Sequence, residues 1–436
     1  MCRFFLPDRP IETQKSWFGR LFSSPTSLRT PSLSLDPGAG LIDISPANLA
    51  ELLQTNPWKW WRQQMPIVRQ WAYLDHAAVG PLPGPTADAI RHFAMQAECL
   101  GDTVWPQWSR KLDLLRSSFA DLISAEPSEI CLVPNTTTGI NIVAEGWPWQ
   151  PGDSVVLPEG EFPSNLFPWQ NQASRGVELR IIPRRDGRVE VADLLDHVDD
   201  STRMIAVSWV GYASGYRVDL HELVQQAHRR GVLVFLDAIQ GLGMYPLDCR
   251  QTPVDFLAAD GHKWMLGPEG IGVAMIRQEH LNTLRCGNVG WNSVQASFNY
   301  AQPELKLRNS ATRFEAGSSN MLGASALSAS VDLIGAVNQA HGPQAIEKRL
   351  VELATQFHHQ LSDLGIDSRM PSDPQHRSGI VTFEVPWAEP NAVRNAALEK
   401  NCVVSCRDGG VRASIHAYND ASDLQRLIDV VASLKP

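Results

Sequence analysis

Lys263 follows the run Val254-Asp255-Phe256-Leu257-Ala258-Ala259-Asp260-Gly261-His262, an apolar strand that breaks into a polar turn. That places a primary amine just beyond a strand's carboxyl end, where open α/β sheets bind ligands. An amine there condenses with an aldehyde if its neighbours keep it from being locked as ammonium. A second apolar run, Val232-Leu233-Val234-Phe235-Leu236, delivers Asp237 to the same edge, followed by Ala238-Ile239-Gln240-Gly241. In a site of low effective dielectric such a carboxylate holds a protonated ring nitrogen strongly, although desolvation offsets part of the gain. A third run, Ile130-Cys131-Leu132-Val133, leads through Pro134-Asn135 into Thr136-Thr137-Thr138-Gly139 at the opening of a helix. Free backbone N–H groups and the positive end of the helix dipole make that opening a phosphate cup.

Taken singly, each element has a plain reading: a solvated surface lysine, an aspartate capping a helix, a threonine run doing the same. Together they supply an amine, an acid and a phosphate cup. Those are the three handles required by a phosphorylated pyridine aldehyde, of which pyridoxal 5′-phosphate is the biological example.

Something must bring these three turns to one edge, and the chain pattern does so. From Ala72 onward, short β-rich runs alternate with helical patterns, the signature of βαβ units and a mostly parallel sheet. The runs include Ile130–Val133, Ser154–Leu157, Leu179–Ile182, Met204–Trp209, Val232–Leu236 and Phe256–Ala258. Several are nearly continuous in apolar residues, as expected of strands covered by helices on both faces. Leu220–Arg230 has helical period and stops at Gly231. Beyond about Ser325 the pattern changes to helical stretches, Ala324–Asn338 and Pro343–Leu364, and then short strands around Gly379–Phe383 and Val411–His416. The expected division is an arm over residues 1–42, a large domain over 43–320 including its N-terminal segment, and a small α+β domain over 321–436.

The 436 residues exceed one compact domain, and 43% hydrophobic with 19% charged residues is ordinary for a globular enzyme. A formal charge of −9 argues against a nucleic-acid surface, which needs surplus clustered Lys and Arg. No apolar run reads as long enough to span a bilayer. The seven cysteines are odd in number and scattered, which fits a reducing, cytoplasmic setting better than a disulfide framework. Cys402 and Cys406 lack a second pair at zinc spacing, so no metal is expected. Residues 1–42 are rich in Ser, Pro, Thr and Arg and read as a flexible arm.

Tyr73-Leu74-Asp75-His76-Ala77-Ala78, Asn135-Thr136-Thr137-Thr138-Gly139-Ile140-Asn141, Glu161-Phe162-Pro163-Ser164-Asn165, Asp237-Ala238-Ile239-Gln240, Gly261-His262-Lys263 and Arg313-Phe314-Glu315-Ala316-Gly317-Ser318 stand in this order along the chain. The series resembles the class V aminotransferases, the group that includes cysteine desulfurases, isopenicillin-N-epimerase-like proteins and kynureninase, from about Tyr73 to Asn419. The resemblance implies an α/β protein of PLP-dependent transferase fold type I, with a large, mostly parallel, seven-stranded-type sheet domain flanked by helices and a smaller α+β domain. It implies pyridoxal 5′-phosphate held on Lys263 as a Schiff base, Asp237 opposite the pyridine nitrogen, and Gln240 donating to the ring's phenolic oxygen. Thr136 and Thr137 look like phosphate ligands with His262 close by. Phe162 falls where desulfurases stack a His on the ring and kynureninase-like members use Phe. Ser318 resembles the position that reaches the neighbouring subunit's cofactor, which implies a homodimer with shared sites.

Arg412 sits in Val411-Arg412-Ala413-Ser414-Ile415-His416, which resembles the family's substrate-carboxylate strand, and a guanidinium fork grips a carboxylate with two parallel hydrogen bonds. Period-2 alternation puts Arg412, Ser414 and His416 on one face. His76 is expected to join Arg412 in binding the substrate, a small amino acid or amine. Two departures stand out. Asp260 occupies a position where desulfurases carry a phosphate-binding Ser, and a carboxylate repels phosphate. The stretch Ser405-Cys406-Arg407-Asp408-Gly409-Gly410-Val411 leaves no room for the long loop that carries a desulfurase's persulfide-forming cysteine, so Cys406 does not align with that nucleophile. Aminotransfer is therefore the leading expectation. Desulfurase, lyase or epimerase chemistry is the alternative, and a non-catalytic cofactor-binding or partner-binding relative is the rival from another class.

Overall fold

The structure, a computed structural model, describes residues 46–436 apart from Asp186. The arm expected over residues 1–42 lies outside the described residues.

Seven strands form the central sheet: β1 (Ile130–Val133), β2 (Ser154–Pro158), β3 (Glu178–Ile182), β4 (Thr202–Ser208), β5 (Leu233–Asp237), β6 (Phe256–Asp260) and β7 (Gly272–Ile276). Their spatial order is β1-β7-β6-β5-β4-β2-β3, with β7 antiparallel to both its neighbours and every other pairing parallel. This is the expected α/β fold type I architecture. Alternate side chains of each strand enter different cores. Val234, Leu236, Leu257 and Ala259 pack on one face, and Phe235, Phe256 and Ala258 on the other. Helices covering both faces explain why those strands read as unbroken apolar runs.

The helix Leu220–Arg229 shows how such an element is cut to length. Asp219 caps its start by accepting the Glu222 N–H at 2.9 Å, and Gly231 at φ +69° turns the chain toward β5.

The small domain holds three further strands, β8 (Ile380–Phe383), β9 (Ser405–Arg407) and β10 (Gly410–Ser414), with β10 in the middle and antiparallel to both others. Its core takes in Leu353, Phe357, Val381, Phe383, Ala413 and Leu427, and also Ala72 and Leu74 from the far end of the sequence. Ala72–Tyr73 pairs in parallel with Cys402–Val403, and Leu74 O accepts the Ser414 N–H at 2.7 Å.

The cores do not divide at 320/321. The helix Met321–His341 buries Ala324, Leu327, Val331, Ile334 and Val337 in the core of the large sheet. At 21 residues it is also long and apolar enough by composition to cross a bilayer, contrary to the expectation that no run would be. Its buried positions, packed on helices Gly84–Cys99 and Trp105–Ile123, make it a core helix here. In the stretch Trp58-Lys59-Trp60-Trp61, Trp60 and Trp61 are likewise core residues and Trp58 packs against that core.

Candidate active site

Four strand ends and one hairpin enclose a cavity of about 320 Å³. Thr136 and Thr137 line it from beyond β1, Ser208 and Tyr212 from beyond β4, Asp237 and Gln240 from β5, and Asp260, His262 and Lys263 from β6; Arg407 and Arg412 reach it from β9 and β10. Register explains the meeting of the acids and hydroxyls. Ser208 lies opposite Asp237, and Asp237 opposite Ala258, so residues distant in sequence end at one level of the sheet.

Burial sets the charge states. Lys263 is 9% exposed, and desolvation lowers its pKa to about 8; Asp237 pulls it upward, and Arg412 adds to the lowering. Asp237 is 2% exposed and raised by desolvation to about 6, against the Ile239 N–H it accepts at 3.1 Å and the attraction of Lys263. An amine held down and an acid held up in one cavity fit a ligand that consumes the free amine and offers a cation to the acid. The Phe162 ring centroid lies 5.6 Å from Lys263 Nζ, and Tyr212 meets Phe162 edge-on at 5.4 Å, leaving an aromatic face over the cavity.

The threonine turn is built close against the sheet. Asn135 caps the helix Thr136–Gly146 by accepting the Thr138 N–H at 2.9 Å. Thr136 Oγ1 accepts the Asp260 N–H at 2.9 Å, and Thr137 donates to Ser164 Oγ at 2.8 Å. A Cβ on Gly139 would stand 2.6 Å from Ala258 Cβ, so only glycine lets this helix begin so near β6. Asp260, the departure at the phosphate cup, has Oδ2 3.0 Å from His262 Nδ1, so its charge faces an imidazole. Gln240 accepts the Trp264 indole N–H at 2.7 Å and donates to Ala77 O at 3.1 Å, which leaves one amide hydrogen for a ligand.

Arg412 is fully buried and engaged on three sides. It donates to Asp75 Oδ1 at 3.0 Å, Ser405 Oγ at 3.2 Å and Tyr212 O at 2.8 Å. The fork has five N–H groups, so two remain for a carboxylate.

Two expected site residues are placed elsewhere. His76 is a correction: it is wholly buried outside the cavity lining, with Nδ1–H donating to Ser414 O at 2.9 Å and Nε2 accepting from the Tyr418 hydroxyl at 2.7 Å. Desolvation, with His416 alongside, holds it neutral, and it packs among Tyr73, Trp264, His416 and Tyr418 behind the lysine turn. The alternation of His76 between a strand and a turn does not reveal which side it faces. Ser318 is exposed and does not line this chain's cavity.

Residues not singled out from sequence also take part. Glu161 is half-buried, raised to about 7 by desolvation, and accepts the Ser208 N–H at 2.7 Å and the Ser208 hydroxyl; the charge of Asp237 adds to the rise. Tyr212 lies in the loop after β4, and only the position of that loop at the carboxyl edge marks it. Arg407 shares a strand face with Ser405 two residues earlier, a period-2 relation that was readable once the strand was known.

Cys406 takes the other face of β9. It lies opposite Val411 in the ladder and is absent from the cavity lining. The hairpin closes through Asp408 at φ +50° and Gly409 at φ +79°, the backbone of a tight two-residue turn. Among the described residues, no cysteine lines the cavity.

Comparison with known proteins agrees with this geometry. A family described as "Aminotransferase class-V" matches residues 72–427. A probable cysteine desulfurase of Methanothermobacter thermautotrophicus is 31% identical, over 84% of this chain and 95% of its own length. The apo structure of a cysteine desulfurase from Thermococcus onnurineus NA1 superposes with a TM-score of 0.78 at 27% identity, covering 86% of this chain and 97% of the other. The cystine C–S lyase C-DES shares the fold at a TM-score of 0.78 and 24% identity, over 86% and 100% of the two chains. The fit of the lysine, the acid and the threonine cup to pyridoxal 5′-phosphate assigns that cofactor, and the chain belongs to the class V aminotransferase family of PLP-dependent fold type I enzymes.

Proposed function

We propose that this protein cleaves a bond at the β-carbon of a small α-amino acid, and that cysteine is the first substrate to test. Cysteine desulfurase is the name carried by its 31% identical relative and by the 27% identical solved structure. That favours lyase-type chemistry over the aminotransfer expected from sequence. The observation that carries the particular form proposed is the closed hairpin at Asp408-Gly409 with Cys406 turned away from the cavity. Sulfur then leaves to solvent or an external acceptor rather than to a cysteine of this chain.

When bound, the cofactor supplies an electron sink for charge developing at the substrate's α-carbon. The chain does the rest. Lys263 would hold it, Asp237 would face its ring nitrogen, Phe162 would cover one ring face, and Thr136, Thr137 and His262 would receive its phosphate. Arg412 orients the substrate carboxylate with its free N–H groups. Lys263, its pKa lowered to about 8, takes the proton from the α-carbon and gives it to the sulfur as that leaves the β-carbon. We also propose a homodimer in which the exposed Ser318 turn meets the partner's cofactor phosphate, since it reaches no part of its own cavity.

The test is the product balance from L-cysteine. Elimination takes cysteine and water to pyruvate, ammonia and sulfide in equal amounts. Alanine accompanied by protein-bound sulfur would overturn the proposal in favour of a persulfide route, and pyridoxamine-form accumulation with transfer to a keto acid would restore aminotransfer.

A further inference from the structure

Arg407 is a cation of the cavity that no acid pairs with among the described residues. It ends β9 on the same face as Ser405, and its guanidinium lines the cavity that holds Lys263, Asp237 and Arg412. Its charge lies near enough to both Lys263 and Arg412 to push each toward its neutral form. Among the described residues its guanidinium donates one hydrogen bond, to the carbonyl of the preceding Cys406 at 2.7 Å.

Several other charged or titratable groups of the cavity face a partner. Asp75 answers Arg412 at 3.0 Å. His262 faces Asp260 at 3.0 Å. Lys263 and Asp237 oppose one another. The acid nearest to Arg407 in sequence, Asp408, is taken by Arg184 with two contacts of 3.0 Å and by Arg369 at 3.1 Å. Glu269 also lines the cavity, but no ion pair joins it to Arg407 among the described residues. Those grips on Asp408 pin the hairpin tip, so Arg407 is presented from an anchored turn while its side chain stays exposed.

The geometry points to Arg407 as the residue that reads a second anionic group, on the side chain of the substrate, while Arg412 reads the α-carboxylate. The preferred substrate is then an acidic α-amino acid, whose side chain ends in a carboxylate or a comparable oxyanion, and cysteine would be the lesser substrate of the same site. This assignment rests on the reading of the site as one for α-amino acids, and the experiment keeps the two apart.

Holoenzyme is titrated with L-aspartate, L-asparagine and L-alanine, following the cofactor absorbance, and the unreactive dianion succinate is titrated calorimetrically. The same series is run on Arg407→Gln and Arg407→Lys. The wild type is expected to bind aspartate about tenfold or more tighter than its isostere asparagine, the scale of a charge-assisted contact. Arg407→Gln should abolish that preference and succinate binding while changing alanine affinity far less than aspartate affinity, and Arg407→Lys should keep part of the preference. Equal affinity for aspartate and asparagine in the wild type overturns the assignment alone. So does an Arg407→Gln variant that loses alanine and aspartate equally, since Arg407 would then hold the α-carboxylate. No spectral response to any amino acid overturns the reading of the site itself and the assignment with it.

Discussion

The guanidinium of Arg412 and the carboxylate of Asp75 are paired at 3.0 Å across 337 positions of sequence, with the arginine 1% exposed. Asp75 also accepts the Ser405 hydroxyl at 2.8 Å, and Ser405 accepts from Arg412, so three residues from two ends of the chain fix one substrate contact. Asp75→Asn removes the counter-charge but keeps the shape. Stability is expected to fall by about 1–3 kcal/mol, as for a buried hydrogen-bonded charge left short of its partner. KM should rise more than kcat falls, because a loosened Arg412 binds the carboxylate less well. Urea titration and steady-state kinetics check both parts.

Lys263→Ala is expected to lose the absorbance of lysine-bound cofactor and all turnover while the fold persists. The readout is the visible spectrum together with borohydride labelling of the protein. A residue elsewhere that still becomes labelled would take the role from Lys263.

The charge states predict a pH profile for cofactor uptake. The amine must be unprotonated to react, and desolvation brings Lys263 from the ordinary lysine range to about 8. The rate of reconstitution of the apoprotein should therefore rise through about pH 8 and level off above it. Asp237 favours the protonated lysine, so Asp237→Asn should move that midpoint lower. The linkage to stability has the same sign: between the folded value near 8 and the higher unfolded one the unfolded chain binds more protons, so this group's contribution to stability increases with pH there. Asp237 acts oppositely at lower pH, since its folded value near 6 lies above the unfolded one and its contribution declines as pH rises toward 6.

Cys406→Ala should leave turnover unchanged, because the side chain faces away from the cavity and burial raises the thiol's pKa, disfavouring the thiolate. Sulfide release measured on the variant decides the matter. Its loss would mean that the hairpin opens far enough to turn the thiol inward.

Gly139→Ala places a methyl group 2.6 Å from Ala258 Cβ. The helix bearing Thr136 and Thr137 must shift away from β6, at a cost of about 1–3 kcal/mol for overpacking. Weaker cofactor binding, measured by equilibrium dialysis, should accompany the lower unfolding midpoint.

Much of the sheet was legible because its strands are buried on both faces, so Leu233–Asp237 and Phe256–Asp260 stand out as apolar runs that end in acids. Those runs also place Asp237 and Lys263, since the carboxyl ends of parallel strands share an edge by topology. The boundary between the cores was not legible. The helix Met321–His341 has the composition of a helix buried anywhere, and only its neighbours show that it belongs to the large sheet. His76 was misplaced for a similar reason: a histidine beside a short strand can face a cavity or a core, and here Tyr418 and Ser414 took both ring nitrogens.

The linear chain determined the chemistry on offer, because residue type and strand-end position are local properties: an amine, an acid and a threonine-lined helix start at one edge of a parallel sheet. Folding in three dimensions decided which charges were already neutralised. Ion pairing falls off over a few ångströms and is blind to sequence separation, so the engagement of Arg412 by Asp75, and the freedom of Arg407 beside it, exist only once the two ends of the chain have met.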